Sequence, residues 1–271
     1  MPMSGTVVTY AAGAAMVVES RMASTAAAPA APLPNTSLWV EMPVAVGNKD
    51  LEGLAISLRP GVKMTGTVQF NGSAERPTPP QMQSISLVLE PADPKPGVPN
   101  GSGRVEQNGT FSTVGMVPGR YFVRMRGAFP GWTFQSAMVG GRDASIVPVD
   151  IDANDLNGVV ISFTDKPGEL SGQVSGDGQL EGATVIVFPA DQTAWTGYGT
   201  TSRRLLATRA DKQGKFTMQA PPAGDYIAVA MPDKMANDWQ NPKFLQAVSS
   251  QGERVHVSDG SKAALTLKVI R

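Results

Sequence analysis

The sequence predicts an all-β protein made of two tandem seven-stranded Greek-key sandwiches that follow a partial third unit. Two observations carry this prediction. The first is composition, because 29 glycines and 22 prolines among 271 residues favour many turns and short strands over long helices. The second is an internal repeat of about 105 residues, a period that fits one β-sandwich rather than one turn of a solenoid.

The repeat is clearest in the strand that closes each unit. The segment DLEGLAISL at residues 50–58 reappears 105 residues later as DLNGVVISF at residues 155–163. A looser third copy, ALTLKVI, occupies residues 264–270. Recurrence at one fixed period marks duplicated units, so each copy of this segment is predicted to end one unit.

These endings divide the chain into three predicted parts: a partial β unit at residues 1–59, a sandwich at 60–164 and a second sandwich at 165–271. The partial unit matches only the closing strands of a full one. Because unpaired strand edges are poorly tolerated, we expect residues 1–59 to pair with the first full unit or with another chain. The alternative is that the chain is a fragment of a longer array.

Glycine-containing turns are predicted to begin the strands of each unit. Asn108-Gly109 supplies the positive φ that a tight hairpin turn needs. Pro118-Gly119 suits the central positions of a type II turn, which leads into a longer strand from Tyr121. Successive turns of this kind return the chain beside itself and favour antiparallel strands.

Side-chain alternation predicts the surroundings of the two longest strands. In residues 121–126, Phe122 and Arg124 face away from the apolar side, which predicts a strand with one solvated face. The counterpart at residues 226–231 is apolar on both faces, so it is predicted to lie centrally or under a loop. One helix is predicted over residues 241–250, with an Asn N-cap and Pro at the first helical position.

The N-terminal region and the charge balance limit the possible partners. Residues 6–18 are mildly apolar and residues 26–32 are small, but the positive region of a signal peptide is missing, so a strand and an Ala/Pro loop are predicted. No apolar run reaches the ~18 residues of a membrane span. The 23 basic residues balance 23 acidic ones, which gives no electrostatic argument for a nucleic-acid partner.

The residue inventory argues against an enzyme. The chain has no cysteine and one histidine, which excludes thiol nucleophiles, disulfides and His-based or thiolate zinc sites. We predict that His256 is a surface residue of a strand, since no Gly-x-Ser-x-Gly elbow accompanies it. The acidic stretch at residues 150–155 has the Asp-x-Asp-x-Asn start of a calcium loop but lacks its glycine and its bidentate glutamate. No metal and no cofactor are therefore predicted.

Four aromatic residues are the candidate ligand-binding residues: Trp195, Tyr198, Trp239 and Trp132. Trp195 and Tyr198 lie in the predicted loop at residues 191–202, and loops at the end of a sandwich often carry binding sites. Flat aromatic faces stack on the apolar faces of sugar rings. The alternative is a packing role, in which Trp239 anchors the predicted helix and Trp195 covers a sheet edge.

One ordered set of motifs occurs in both full units. Gly66-Thr-Val68 or Gly172-Gln-Val174 is followed by an apolar strand, then by Gly-x-Phe, then by Pro-Gly-Arg-Tyr or Ala-Gly-Asp-Tyr. This order, over residues 60–271, resembles the carboxypeptidase regulatory-like domain. The resemblance implies a transthyretin-like, carbohydrate-binding-like sandwich of the kind found in tandem in bacterial envelope and secreted proteins. The zinc peptidase domain of the family's namesake enzymes has no counterpart here.

The resemblance and the inventory lead to one expected function and two alternatives. We expect a non-catalytic structural or interaction module of a bacterial extracytoplasmic protein, located in the periplasm, the envelope or outside the cell. Its expected partner is a polysaccharide or another envelope protein. The first alternative is a carbohydrate-binding module that uses the end-loop aromatics, and the second is an accessory segment of a longer enzyme.

Overall fold

The structure of the chain is a computed structural model. It forms two compact units, Met1–Asn35 and Thr36–Arg271. In the first unit, β1 (Val7–Ala11) and β2 (Ala14–Val18) form an antiparallel hairpin where a single strand was predicted. The Ala/Pro run at residues 26–32 lies outside the described residues. The structure describes residues 7–11, 14–18, 37–45, 48, 52–95, 98–176 and 182–270.

The second unit is all-β, as predicted, and its first sandwich is a nine-stranded sheet folded on itself. The strand order is β11-β10-β13-β5-β8-β7-β6-β9-β12, and one hydrophobic core contains side chains from both ends of this order. Two short strands, β3 (Leu38–Trp39) and β4 (Arg59–Pro60), pair just before it. The elements of the sandwich are β5 (Met64–Asn71), α1 (Pro79–Met82), β6 (Ser86–Pro91), β7 (Gly101–Val105), β8 (Thr110–Thr113), β9 (Gly119–Arg126), β10 (Thr133–Val139), β11 (Arg142–Asp143), β12 (Val149–Ile151) and β13 (Leu156–Thr164).

The second sandwich has seven strands in two sheets. A three-stranded sheet of order β17-β14-β20 faces a four-stranded sheet of order β16-β15-β18-β19 across a shared apolar core. Two 3-10 helices, Gln192–Trp195 and Asp233–Met235, follow β15 and β18. The other elements are β14 (Glu169–Ser175), β15 (Thr184–Pro189), β16 (Leu206–Arg209), β17 (Lys215–Gln219), β18 (Gly224–Met231), α2 (Pro242–Ser249), β19 (Glu253–Val257) and β20 (Lys262–Lys268).

Each sandwich is closed by a parallel pair of its first and last strands. β13 runs parallel to β5, and β20 runs parallel to β14. One glycine in each opening strand permits this approach. A Cβ added to Gly172 would lie 2.1 Å from the carbonyl oxygen of Leu265 and 2.8 Å from the ring of Phe216, far inside van der Waals contact. Gly66 occupies the same position in the first sandwich, which explains why the Gly-x-Val motif repeats.

The second repeated motif anchors a tyrosine hydroxyl at the start of a long strand. Tyr121 Oη donates to the carbonyl oxygen of Val117 at 2.7 Å, and Tyr226 Oη donates to that of Pro222 at 2.7 Å. This geometry is the tyrosine corner of Greek-key sandwiches. Burial raises the pKa of Tyr226 to about 12, so its hydroxyl stays protonated and keeps donating over the physiological range.

The predicted helix is confirmed as α2, which lies in the connection from β18 to β19. The side chain of Asn241 accepts from the backbone N–H of Lys243 at 2.9 Å, as an N-cap does. Leu245 and Val248 bury in a cluster on the outer face of β18, while the inner face of β18 joins the main core. The prediction that β18 is covered on both faces is therefore confirmed.

Candidate functional site at the junction of the two sandwiches

The loop after β15 carries two of the four aromatic candidates and is held by local polar contacts. The carboxylate of Asp191 caps the 3-10 helix by accepting from the backbone N–H of Thr193 at 2.9 Å. This hydrogen bond lowers the pKa of Asp191. Trp195, the last residue of the 3-10 helix, is 3% exposed and donates its indole N–H to the carbonyl oxygen of Pro189 at 2.7 Å. Its ring is oriented edge to face on Phe188, with centroids 5.7 Å apart.

The other three candidates are also in packed environments. Trp132 is buried, donates its indole N–H to the carbonyl oxygen of Glu75 at 2.9 Å and contacts Phe70 edge to face. Tyr198 and Trp239 are half-buried against the apolar cluster around α2. Burial favours the packing interpretation for Trp195 and Trp132. Ligand contact by the four side chains stays a prediction.

A cleft of about 480 Å³ lies where the loop of the second sandwich contacts the first sandwich. Trp195 and Tyr198 line it from one side, and Glu90 and Pro91 at the end of β6 line it from the other. Gln240 completes the wall beside α2. Trp239 lines a different cleft, so the structure groups two of the four candidates rather than all four.

Beneath this cleft, Arg124 of β9 links the two sandwiches. Its Nε donates to Glu90 Oε2 at 2.9 Å, in an ion pair whose side chains are 15% and 10% exposed. Its Nη2 donates to the carbonyl oxygen of Tyr198 at 2.7 Å, and its Nη1 donates to that of Ser145 at 2.6 Å. The backbone N–H of Thr200 donates to the other oxygen of Glu90. All three guanidinium nitrogens of Arg124 and both carboxylate oxygens of Glu90 therefore have hydrogen-bond partners, and two of these hydrogen bonds cross to the second sandwich.

Arg203 makes the reciprocal contact, from the second sandwich into the first. Its guanidinium lies over the ring of Phe134 at 4.6 Å, donates to the hydroxyl oxygen of Ser145 and donates to the carbonyl oxygen of Gln135 at 2.9 Å. Asp143 Oδ2 lies 3.8 Å from Arg203 Nη1. The other carboxylate oxygen of Asp143 accepts from two backbone N–H groups of the β10–β11 hairpin, which fixes its position.

The pKa values of Arg203 and Glu90 both lie below their ordinary values, for different reasons. Burial lowers the pKa of Arg203, and the charge of Asp143 partly offsets that effect. Burial also acts to raise the pKa of Glu90, but hydrogen bonds from Thr200 and Arg124 outweigh it, and the pKa lies below its ordinary value. Glu90 is therefore ionised at neutral pH, and the buried pair is an ion pair.

The junction corrects one sequence-based prediction. The face of β9 that carries Phe122 and Arg124 was predicted to be solvated, and this is wrong, because Phe122 is fully buried and Arg124 largely so. Gly199 of the second sandwich lies against the Phe122 ring, close enough that an added Cβ would stand 3.1 Å from it. Alternation identified the two faces of the strand but not the neighbour that covers the outer one.

His256 and the acidic stretch at residues 150–155 make local polar contacts. His256 is an exposed strand residue, as predicted, and its Nδ1 lies 2.7 Å from Asp225 Oδ1. In the acidic stretch, Asp155 accepts from the backbone N–H of Lys63 at 2.8 Å, just before β5. Oδ1 of Asp150 lies 3.8 Å from Nε of Arg120. Among the described residues there is no group of three or more carboxylates, histidines or cysteines arranged for a metal ion.

Comparisons with known proteins give structural likeness at low similarity. No protein-family model and no curated protein matched the chain. Among solved structures, the minor pilin GBS52 of Streptococcus agalactiae aligns over 77% of this chain and 95% of its own, at 11% identity and a TM-score of 0.30. The major pilin BcpA of Bacillus cereus aligns over 76% of this chain and 69% of its own, at 9% identity and a TM-score of 0.27. A DUF3823 protein of Parabacteroides merdae aligns over 62% of this chain and 89% of its own, at 15% identity and a TM-score of 0.26.

TM-scores at this level carry no argument about function. None of the helices in the described part of the chain has the length and apolar character needed to cross a bilayer.

Proposed function

We propose that the chain is a non-catalytic structural and interaction module of a bacterial extracytoplasmic protein, in which the two sandwiches form one stiff element. Its proposed parts are the partial unit at residues 1–59 and the sandwiches at 60–164 and 165–271. The observation that carries the proposal is the buried Arg124–Glu90 and Arg203 network. The resemblance of both units to carboxypeptidase regulatory-like domains supports the extracytoplasmic location.

The physical reason for stiffness is that a hinge motion would take buried charged groups away from their partners in the other sandwich. Neighbouring domains in one chain move relative to each other unless their interface is extensive or strongly coupled. Here Arg124 of the first sandwich donates to the carbonyl oxygen of Tyr198 in the second, and Arg203 of the second donates to that of Gln135 in the first. Nη1 of Arg203 also lies 3.8 Å from Asp143 Oδ2 of the first sandwich. The Arg124–Glu90 pair lies within the first sandwich and would stay together, but its hydrogen bonds to the second would be lost, and leaving a buried polar group without its partner costs about 1–3 kcal/mol. One relative orientation is therefore favoured.

The test is a distance distribution between the sandwiches. The chain has no cysteine, so spin labels at Arg104→Cys and Lys215→Cys, both exposed strand positions, report one distance. We expect a narrow distribution in the parent and a clearly broader one after Arg203→Met. The matched control is Arg209→Met, which removes an exposed ion pair with Asp233 inside the second sandwich and should leave the width unchanged. A parent distribution as broad as that of Arg203→Met would contradict the stiff element.

Carbohydrate binding is a second candidate, favoured by the cleft that Tyr198 and Trp195 line. Tyr198 is half-buried there, and its ring is the part of the pair that remains accessible to a sugar. We expect a glycan pull-down to retain the parent and to lose Tyr198→Ala with thermal stability unchanged. Trp195→Ala serves as the control for packing, since truncating a core tryptophan costs about 3–5 kcal/mol. Absence of glycan retention by the parent would remove this candidate.

A further inference from the structure

An apolar face with no partner among the described residues lies in residues 42–45 and 52–58, which we name the closing segment. Four of its aliphatic side chains are strongly exposed: Val44 at 43%, Leu54 at 52%, Ile56 at 62% and Leu58 at 57%. Leu54, Ile56 and Leu58 recur at every second residue, as on one face of a strand. An exposed apolar face of this kind marks an interaction site.

The internal repeat shows what these side chains do in a complete unit. At the repeat offset, the four positions correspond to Val149, Val159, Ile161 and Phe163 of β12 and β13, which are 7%, 0%, 0% and 2% exposed. The same type of residue is thus buried in the complete sandwich and exposed in the closing segment. The closing segment is therefore the counterpart of β12 and β13.

The backbone of the closing segment shares one glycine conformation with the closing strand of the complete unit. Gly53 has φ of 72° and its counterpart Gly158 has φ of 77°. Gly158 lies at the register shift that lets β13 pair with β5 between Leu156 and Val159. The closing segment keeps this left-handed glycine although no strand in the described part of the chain is paired with residues 52–58. At Gly53 the closing segment therefore already has the backbone conformation that the paired closing strand has at Gly158.

The complete unit also identifies the partner. β13 is paired in parallel with β5, with Val159, Ile161 and Phe163 opposite Gly66, Val68 and Phe70. The facing strand β6 contributes Leu87 and Leu89 to the same core.

We propose that the closing segment is a receptor for the opening segment of another unit of this repeat type. That partner adds one strand of pattern Gly-x-Val-x-aromatic in parallel to residues 54–58 and a second apolar strand across the exposed face. The inference deepens the interaction role proposed above and rests on it.

The probe is a synthetic, dye-labelled peptide with the sequence of residues 62–91, which contains the sequences of β5 and β6. We expect saturable binding to the full chain, measured by fluorescence anisotropy, together with slowed amide hydrogen exchange in residues 54–58. Ile56→Lys should weaken binding at least tenfold. The matched protein control is Val147→Lys, because Val147 is also an exposed aliphatic residue, at 41%, but lies outside the closing segment. This variant should bind like the parent.

A second control lies in the peptide. In the complete unit a Cβ on Gly66 would stand 1.9 Å from the carbonyl oxygen of Val159, whose counterpart is Leu54. A peptide carrying Gly66→Val should therefore bind at least tenfold more weakly. No binding of the parent peptide, or equal binding of both peptides, would overturn the proposal. Self-association of the chain that Ile56→Lys abolishes and the peptide does not displace would also overturn it, because the occupant would then be a different surface of a second copy. The spin-label distance is independent of the closing segment and still tests the stiff element if peptide binding fails.

Discussion

Gly172→Ala is expected to lower the free energy of unfolding of the second sandwich by about 3 kcal/mol or more. The added methyl would collide with the carbonyl oxygen of Leu265 and with the ring of Phe216. Neither atom belongs to a flexible side-chain end, so β14 and β20 would have to separate or Phe216 would have to leave the core. Urea unfolding followed by far-ultraviolet circular dichroism measures the loss.

A glycine with a different constraint serves as the control for this steric effect. Gly131 has φ of 77° but no atom within 4 Å of an added Cβ, so Gly131→Ala tests the backbone conformation alone. A left-handed conformation costs a non-glycine residue about 1–2 kcal/mol. Equal losses in Gly172→Ala and Gly131→Ala would show that close strand approach is not the reason for the Gly-x-Val motif. Gly66→Ala should repeat the larger effect in the first sandwich.

Arg124→Met is expected to have an effect of similar size, a loss of about 3–5 kcal/mol at neutral pH. The methionine fills much of the same space but leaves the Glu90 carboxylate buried without its cation. Chemical denaturation with tryptophan fluorescence measures the loss. Adding Glu90→Gln to Arg124→Met removes the uncompensated charge, so the double variant should be more stable than Arg124→Met alone. A double variant no more stable than the single one would show that the Glu90 charge is not the cause.

The same pair gives a pH dependence with a definite sign. The folded pKa of Glu90 lies below its ordinary value of about 4.5, because its hydrogen bonds outweigh burial. The ionised form therefore stabilises the junction above that ordinary value, and this contribution disappears as the pH falls through the lower folded pKa. In Arg124→Met the burial effect remains without the cation, so the stability difference from the parent should shrink on acidification. A difference that stays constant from pH 7 to pH 3 would contradict this assignment.

The sequence predicts much of the fold because its strongest signals are local. The Asn241 N-cap, Pro242 and the spacing of Leu245 and Val248 predict α2 within one residue of each end. The Gly-x-Val and Pro-Gly-x-Tyr motifs mark positions where a neighbouring backbone or hydroxyl contact leaves little choice of residue. A single sequence reveals such constraints because the contacts that impose them lie within one sandwich.

The junction could not be predicted in the same way. Arg124 alternates with apolar residues as a solvent-facing strand residue would, and Arg203 lies in a loop with no pattern of its own. Their roles depend on which surface of the other sandwich covers them, and no spacing in the chain records that. Trp195 illustrates the same limit, since a loop tryptophan has one sequence signature whether its ring is exposed or, as here, fills the space above Phe188.

The position of α2 and of the β10–β11 hairpin has a consequence for the evolution and engineering of this scaffold. Both insertions occur in the connection that leaves the tyrosine-anchored strand, β18 or β9, and returns to the edge strand, β19 or β12. One copy of the repeat therefore gained a helix and the other a strand pair at an equivalent place, while the same seven strands kept their order. This connection accommodates either type of secondary structure. A new loop, epitope or reporter peptide is best grafted in the second sandwich, because the β10–β11 hairpin of the first carries Phe134 and Asp143, which lie beside Arg203 at the junction.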